Sequence, residues 1–188
     1  MPACFDLRET GDARGDVRDR AQLVEALAGA HGVIHLAAIS RVLWGERDPE
    51  ACWATNVGGT RNVLDMAASA RHRPWVIFAS SREVYGQPEV LPATEETPVR
   101  PMNIYGRSKA EGEQLVEHVR RAGTRACSIR LSNVFGAVHD HDARFYGDPS
   151  RARELLGWRP EVTLRDGLTR LLRACRSTLG PAPQELGA

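Results

Sequence analysis

Gly32-Val33-Ile34-His35-Leu36-Ala37-Ala38 is a continuous apolar run rich in β-branched side chains, the pattern of a strand buried on both faces. The small residues at its end would let another group approach closely. Downstream, Pro49 to Ala70 reads as one long helix: a proline opens it, and Trp53, Asn56, Val57, Thr60, Val63, Leu64 and Ala67 recur at helical intervals. Gly58-Gly59 inside it would cost about 1 kcal/mol each relative to alanine, which implies close packing against a backbone or a ligand. Trp75-Val76-Ile77-Phe78-Ala79-Ser80 is a second buried strand that ends in the polar run Ser80-Ser81-Arg82-Glu83. A proline-rich loop from Gln87 to Pro101 leads to a helix that carries Tyr105 and Lys109 and runs to about Arg121; Arg125 to Leu131 then supplies a third strand, ending at Ser132-Asn133. Upstream, Cys4-Phe5-Asp6 reads as the end of a strand and Ala13 to Val17 as a short extended segment. Arg18 to Ala30 reads as an amphipathic helix with Leu23, Val24 and Leu27 inward.

Strand, helix, strand, helix, strand joined by right-handed crossovers makes an α/β protein: a parallel sheet with helices on both faces. Ligands of such sheets bind outside the carboxyl ends of the strands, where Ala37-Ala38, Ser80-Ser81 and Ser132-Asn133 all fall. Tyr105 and Lys109 stand at positions i and i+4 in Asn103-Ile104-Tyr105-Gly106-Arg107-Ser108-Lys109, so they share one helix face. A neighbouring ammonium favours phenolate and would draw the tyrosine down from its usual value of about 10. The convergence of these polar residues, more than the pair alone, points to acid–base chemistry.

The totals exclude other classes. With 188 residues, 42% hydrophobic and 26% charged, the composition is that of an ordinary globular chain. Twenty-five basic and 24 acidic side chains leave a net charge of +1, which supplies no field for nucleic acid or an anionic membrane. The apolar runs are too short to span a bilayer and the N-terminus lacks a signal pattern, so a cytoplasmic location is expected. Cys4, Cys52, Cys127 and Cys175 are dispersed, and buried reduced thiols are expected rather than a zinc site or disulfides.

Several blocks together resemble one family. Ser80-Ser81-Arg82-Glu83-Val84-Tyr85-Gly86 and Tyr105-Gly106-Arg107-Ser108-Lys109 are similar to the strand-end serine motif and the Tyr-x-x-x-Lys motif of the NAD-dependent epimerase/dehydratases, the extended short-chain dehydrogenase/reductases. His35-Leu36-Ala37-Ala38, Asn56-Val57-Gly58-Gly59-Thr60 and Arg130-Leu131-Ser132-Asn133-Val134-Phe135-Gly136 fit the same family. The resemblance implies that Tyr105 exchanges a proton with a sugar oxygen. Lys109 would hold the nicotinamide ribose and lower the tyrosine pKa, and Ser81 would hydrogen-bond the same substrate oxygen. Around an NAD cofactor it places Asp6 at the adenosine ribose, Asp16 and Val17 at adenine, and Leu36, Ala37, Ala38, Asn56 and Ser80 along the dinucleotide. Glu83 and Asn133 join Ser81 on the nucleotide-sugar side. Since Arg82 stands where dehydratase members carry an acidic residue, epimerisation is implied over elimination. Arg8 could meet an NADP 2′-phosphate, but Asp6 would repel it. A homodimer through helices 49–70 and 104–121 is implied as well.

The family's first strand and its Gly-x-x-Gly-x-x-Gly turn have no counterpart within these residues. An incomplete Rossmann-like sheet is therefore expected over 1–138, with 139–188 a remnant of the C-terminal substrate domain: the chain passes from Gly136 through 137–145 to Tyr146-Gly147-Asp148-Pro149, a block similar to one near the family's C-terminus. The leading functional expectation is an NAD-dependent nucleotide-sugar epimerase. The alternatives are a non-catalytic truncated member, or a regulatory module with little NAD binding, and a reductase acting on another hydroxyl. His35 reads as a satisfied core histidine and Trp158 as a packing anchor. His139-Asp140-His141-Asp142 reads as a solvated loop, so no metal site is expected.

Overall fold

The computed structural model describes residues 3–11, 14–132, 147–159, 161–163, 165–167 and 169. They fall into two compact units, Met1–Val90 with Glu96–Ser132, and Leu91–Glu95 with Asn133–Ala188.

In the first unit the order is α1 (Arg20–Ala26), β1 (Gly32–His35), α2 (Val42–Arg47), α3 (Pro49–Trp53), a π-helical stretch (Ala54–Gly59), α4 (Thr60–Ser69), β2 (Trp75–Ser81), a 3₁₀ turn (Arg82–Tyr85), α5 (Ile104–Arg121) and β3 (Ala126–Leu131). The strands form a parallel sheet in the order β1-β2-β3, with Ile34 opposite Ile77 and Ile77 opposite Cys127. The crossovers expected from the sequence are therefore present. The long helix over 49–70 exists as three consecutive pieces, α-helical, π-helical and α-helical.

Val76 and Phe78 of β2 meet Leu23 of α1, Val63, Leu64 and Ala67 of α4, and Val116 and Val119 of α5 in one cluster. Val17 joins it from the segment before α1. Asp19 caps α1 by accepting from the Ala21 and Gln22 N–H groups. Helix α5 reaches the sheet at Gly112, where a Cβ would stand 2.5 Å from the Phe78 ring. At Gly59 a Cβ would meet the Val17 side chain at 2.5 Å, whereas at Gly58 nothing lies within 4 Å. Close packing thus explains only one of the two glycines.

All the helices in this cluster lie on the face of β2 that carries Val76 and Phe78. On the other face Ile34 and Leu36 are 61% and 65% exposed, and Cys127, Ile129 and Leu131 of β3 are exposed as well. The expectation that β1 is buried on both faces fails among the described residues: its run is apolar on both sides, but only one side is covered. Val24 is also exposed, because α1 turns only Leu23 fully inward. Of the thiols, Cys52 is buried while Cys4 and Cys127 are exposed; Cys175 lies outside the described residues. The Cys4-Phe5-Asp6 segment makes a single parallel bridge, Asp6 to Arg14, rather than a strand.

In the second unit Ala93 bridges Gly147 in parallel, and the Asp148 N–H donates to the Ala93 carbonyl at 2.9 Å. Helix α6 (Ser150–Leu156) ends at Gly157, whose φ of 63° suits a residue without a Cβ. Trp158 is half exposed rather than a buried anchor. No described helix of the chain is long and apolar enough to cross a membrane.

Candidate active site

The candidate site is built where α5 starts. The first N–H groups of a helix lack internal partners, and here two side chains supply them. Asn103 Oδ1 accepts from the Gly106 N–H at 2.7 Å, and Glu46 Oε1 accepts from the Ile104 N–H at 2.8 Å. Asn103 also donates through Nδ2 to Glu83 Oε2 at 2.8 Å. That bond ties the helix to the 3₁₀ turn after β2, and the approach is close: a Cβ at Gly106 would lie 2.6 Å from the Glu83 carbonyl oxygen. Ser81 opens the turn, its Oγ accepting from the Glu83 N–H at 3.2 Å.

Tyr105 and Lys109 consequently face the carboxyl end of β2. The Tyr105 hydroxyl is hydrogen-bonded to Ser81. Lys109 is 3% exposed, and its Nζ donates to the Ala79 carbonyl at 2.7 Å while lying 4.8 Å from the Phe78 ring centroid and 5.9 Å from that of Tyr105. Burial pushes the Lys109 ammonium down to about 8. Burial also pushes the Tyr105 phenol above its usual value; the bond to Ser81 draws it back, and the neighbouring charges of Glu83 and Cys52 raise it further. The sequence-based expectation that Lys109 lowers the Tyr105 pKa is therefore not met in this structure, because desolvation and the Glu83 carboxylate act against the phenolate. The Tyr105 phenol therefore holds its proton at neutral pH in this structure.

Asn56, 1% exposed, lies under the pair. Its Oδ1 accepts from the Ile39 N–H at 2.8 Å, which fixes the loop that follows Ala37-Ala38, and its Nδ2 donates to Ser108 Oγ at 2.9 Å. Arg82 and Glu83 form an ion pair at 2.8 Å, with both side chains mostly buried. Ser81, Glu83, Tyr105, Lys109 and Asn56 are thus brought together. Ala37 and Ala38 are half-buried beyond the end of β1 and Leu36 is exposed there. Ser80 is turned away and donates to Glu113 Oε1 at 2.6 Å. Val17 sits in the core. Asp6 is exposed and accepts from the Arg8 N–H at 2.8 Å, and Asp16 pairs with Arg18, whose guanidinium holds its carboxyl below the usual range. Asn133 lies outside the described residues, as do His139 to Asp142.

Sequence reasoning assigned no role to Asn103, Glu46 or Ser108. Asn103 had a readable signal, an Asn just ahead of a helix. Glu46 had none, since its contact with Ile104 spans 58 positions.

Comparisons with known proteins identify the family. Residues 6–170 match the model of the NAD dependent epimerase/dehydratase family. A UDP-glucose 4-epimerase of Streptomyces lividans is 36% identical over 140 residues, covering 69% of this chain and 42% of the relative. The structure of UDP-glucose 4-epimerase from Brucella ovis in complex with NAD superposes with a TM-score of 0.62 at 35% identity, covering 80% of this chain and 48% of that one. A dTDP-glucose 4,6-dehydratase from Streptomyces venezuelae shares the fold, with a TM-score of 0.72 at 21% identity, covering 87% of this chain and 78% of that one. The chain spans less than half the length of the two epimerases.

Proposed function

We propose, for a chain that belongs to the NAD dependent epimerase/dehydratase family, that it acts as an NAD-dependent nucleotide-sugar epimerase through Ser81, Tyr105 and Lys109. The supporting observation is the meeting of the three at the carboxyl end of β2: the phenol bonded to Ser81 and the ammonium bonded to the Ala79 carbonyl. In this reading Tyr105 gives its proton to a sugar keto oxygen on reduction and takes one from the sugar hydroxyl on oxidation, while Ser81 holds the same oxygen. Epimerisation requires the keto sugar to turn over between the two steps, so that the product carries the inverted carbinol.

The nicotinamide cofactor, when bound, supplies the hydride chemistry. The ammonium of Lys109 fits a nicotinamide ribose hydroxyl as acceptor, because its bond to Ala79 leaves two of its three N–H donors. Asp6, exposed beside the Asp6–Arg14 bridge, fits a ribose diol. Asp16, Leu36, Ala37, Ala38 and Asn56 remain the proposed dinucleotide contacts of the wider family pattern, and Glu83 and Asn133 the proposed sugar-nucleotide contacts. Val17 and Ser80 would join the dinucleotide contacts only through their backbone, because the Val17 side chain packs in the core and that of Ser80 bonds Glu113. Arg82 neutralises Glu83 at 2.8 Å, which favours epimerisation over an elimination needing a free carboxylate pair. A cytoplasmic setting and a homodimer through 49–70 and 104–121 belong to the same reading, the latter testable by sedimentation.

A second reading is a non-catalytic member with little or no NAD binding. Titration of the purified protein with NAD and NADH, followed by calorimetry and nicotinamide fluorescence, separates the two. Saturable binding supports the epimerase; no binding at millimolar cofactor would sink it for this chain.

A further inference from the structure

The interior of the first unit contains a run of hydrogen bonds whose direction can be worked out donor by donor. At the start of α4, just after the π-helical stretch, Thr60 Oγ1 donates to the Asn56 carbonyl at 2.5 Å. A hydroxyl has one proton, so the 2.9 Å contact between Thr60 Oγ1 and His35 Nε2 requires the histidine to donate. His35 is therefore the neutral tautomer protonated at Nε2, in keeping with its 4% exposure and with burial and the Lys109 charge pushing its pKa down to about 4.

The orientation of Asn56 is fixed in the same way. Because its Oδ1 accepts from the Ile39 N–H, its Nδ2 must be the atom facing the Ile39 carbonyl at 3.1 Å and Ser108 Oγ at 2.9 Å. Ser108 Oγ accepts that bond and spends its own proton on the Tyr105 carbonyl at 2.8 Å. Helix geometry directs the Lys109 N–H to the same Tyr105 carbonyl. The run thus starts on β1, crosses the π turn and ends on the Tyr105 carbonyl, the helical acceptor of the Lys109 N–H within α5.

We infer that Thr60 is a positioning residue for the Tyr105–Lys109 pair: held by His35, it closes the Asn56 carbonyl within the π turn and so aims the Asn56 amide at Ser108. The role rests on the acid–base reading of Tyr105, but it is legible without cofactor or substrate. Single π turns inside α-helices concentrate at functional sites, and here the turn has a definite task. It sets the height of α5 against the loop at Ile39 and the end of β2.

The test uses the whole chain labelled with ¹⁵N and with ¹³C at tyrosine Cζ. In the parent protein the Asn56 side-chain amide exchanges slowly, and the Tyr105 Cζ signal reports the phenol titration. Thr60→Val should speed Asn56 amide exchange roughly tenfold or more, the equivalent of one lost bond, and shift the Tyr105 titration by about half a pH unit. Thr60→Ser should restore both. If Thr60→Val does not fold, His35→Leu against His35→Gln reads the same contact from the strand, since glutamine retains an N–H donor. A lower melting temperature with both signals at their parent positions would overturn the role, leaving Thr60 a structural residue. Faster Asn56 exchange and a shifted Tyr105 titration, both restored by serine, support it, even in a protein that binds no NAD; that combination would refute the proposed function and not the positioning role.

Discussion

The Lys109 ammonium is bonded to the Ala79 carbonyl at 2.7 Å, which plugs the first turns of α5 into the end of β2. One side chain satisfies a strand-end carbonyl and, under the proposed function, would also offer charge to the cofactor. Lys109→Met should remove both. The expected result is loss of NADH binding in a fluorescence titration together with any turnover. Tyr105→Phe, by contrast, should retain cofactor affinity and lower turnover about 100- to 10,000-fold, the usual range for a lost general acid–base group.

Glu113 holds Arg130 through two bonds of 2.8 and 2.7 Å and accepts from Ser80, while Arg130 also donates to the Tyr85 hydroxyl at 2.9 Å. Breaking one partner of a largely buried pair strands the other charge. Glu113→Ala should cost about 2–3 kcal/mol, reduced from the fully buried figure because Arg130 is partly solvated. Urea unfolding measures it, and Glu113→Gln should cost less because it preserves an acceptor for Ser80.

The glycines give a paired prediction. Gly112→Ala would press a methyl against the Phe78 ring and should destabilise by about 1–3 kcal/mol. Gly58→Ala meets nothing within 4 Å and should stabilise by up to about 1 kcal/mol through helix propensity. Thermal unfolding of the two variants decides both.

His35 sets an acid limit. Its folded pKa of about 4 lies below the usual 6.5, so between these values the unfolded chain binds a proton that the folded chain refuses. Stability should therefore fall as pH drops from 6.5 to 4, by about 3 kcal/mol at most, with no further contribution from this group below pH 4. His35→Gln should flatten that part of the stability profile. An unchanged slope in the variant would refute the assignment.

Much of the scaffold is legible in the sequence, because β2 and α5 carry strong, unambiguous periodicity. The strand expected at Trp75–Ser80 spans Trp75–Ser81, and the helix expected to run to about Arg121 ends there. His35 was readable as a satisfied core histidine because a buried strand offers it little water. The open face of β1 was not readable, since Ile34 and Leu36 look the same whether or not something covers them. Nor was the π turn: the inward-facing residues Asn56, Thr60 and Val63 recur at intervals compatible with either helical form. The raised pKa of Tyr105 was misjudged for a related reason. Spacing shows the distance to Lys109 along a helix, but not the depth at which the phenol is buried or the presence of Glu83 on another element.

The π turn differs from an α turn by a single residue of contour, and this moves the vulnerability of the region from spelling to length. Substitutions at Gly58 leave the count of residues between α3 and α4 unchanged. A one-residue deletion there would remove the extra residue that the wide turn holds, so the stretch could close as an α turn with α3 and α4 near their present register, changing the aim of the Asn56 amide at Ser108 while most of the apolar contacts re-form. Related sequences that keep every polar residue of this region but lose one position between Trp53 and Thr60 would thus be expected to have a differently aimed amide, and a residue-by-residue alignment would conceal it as a gap.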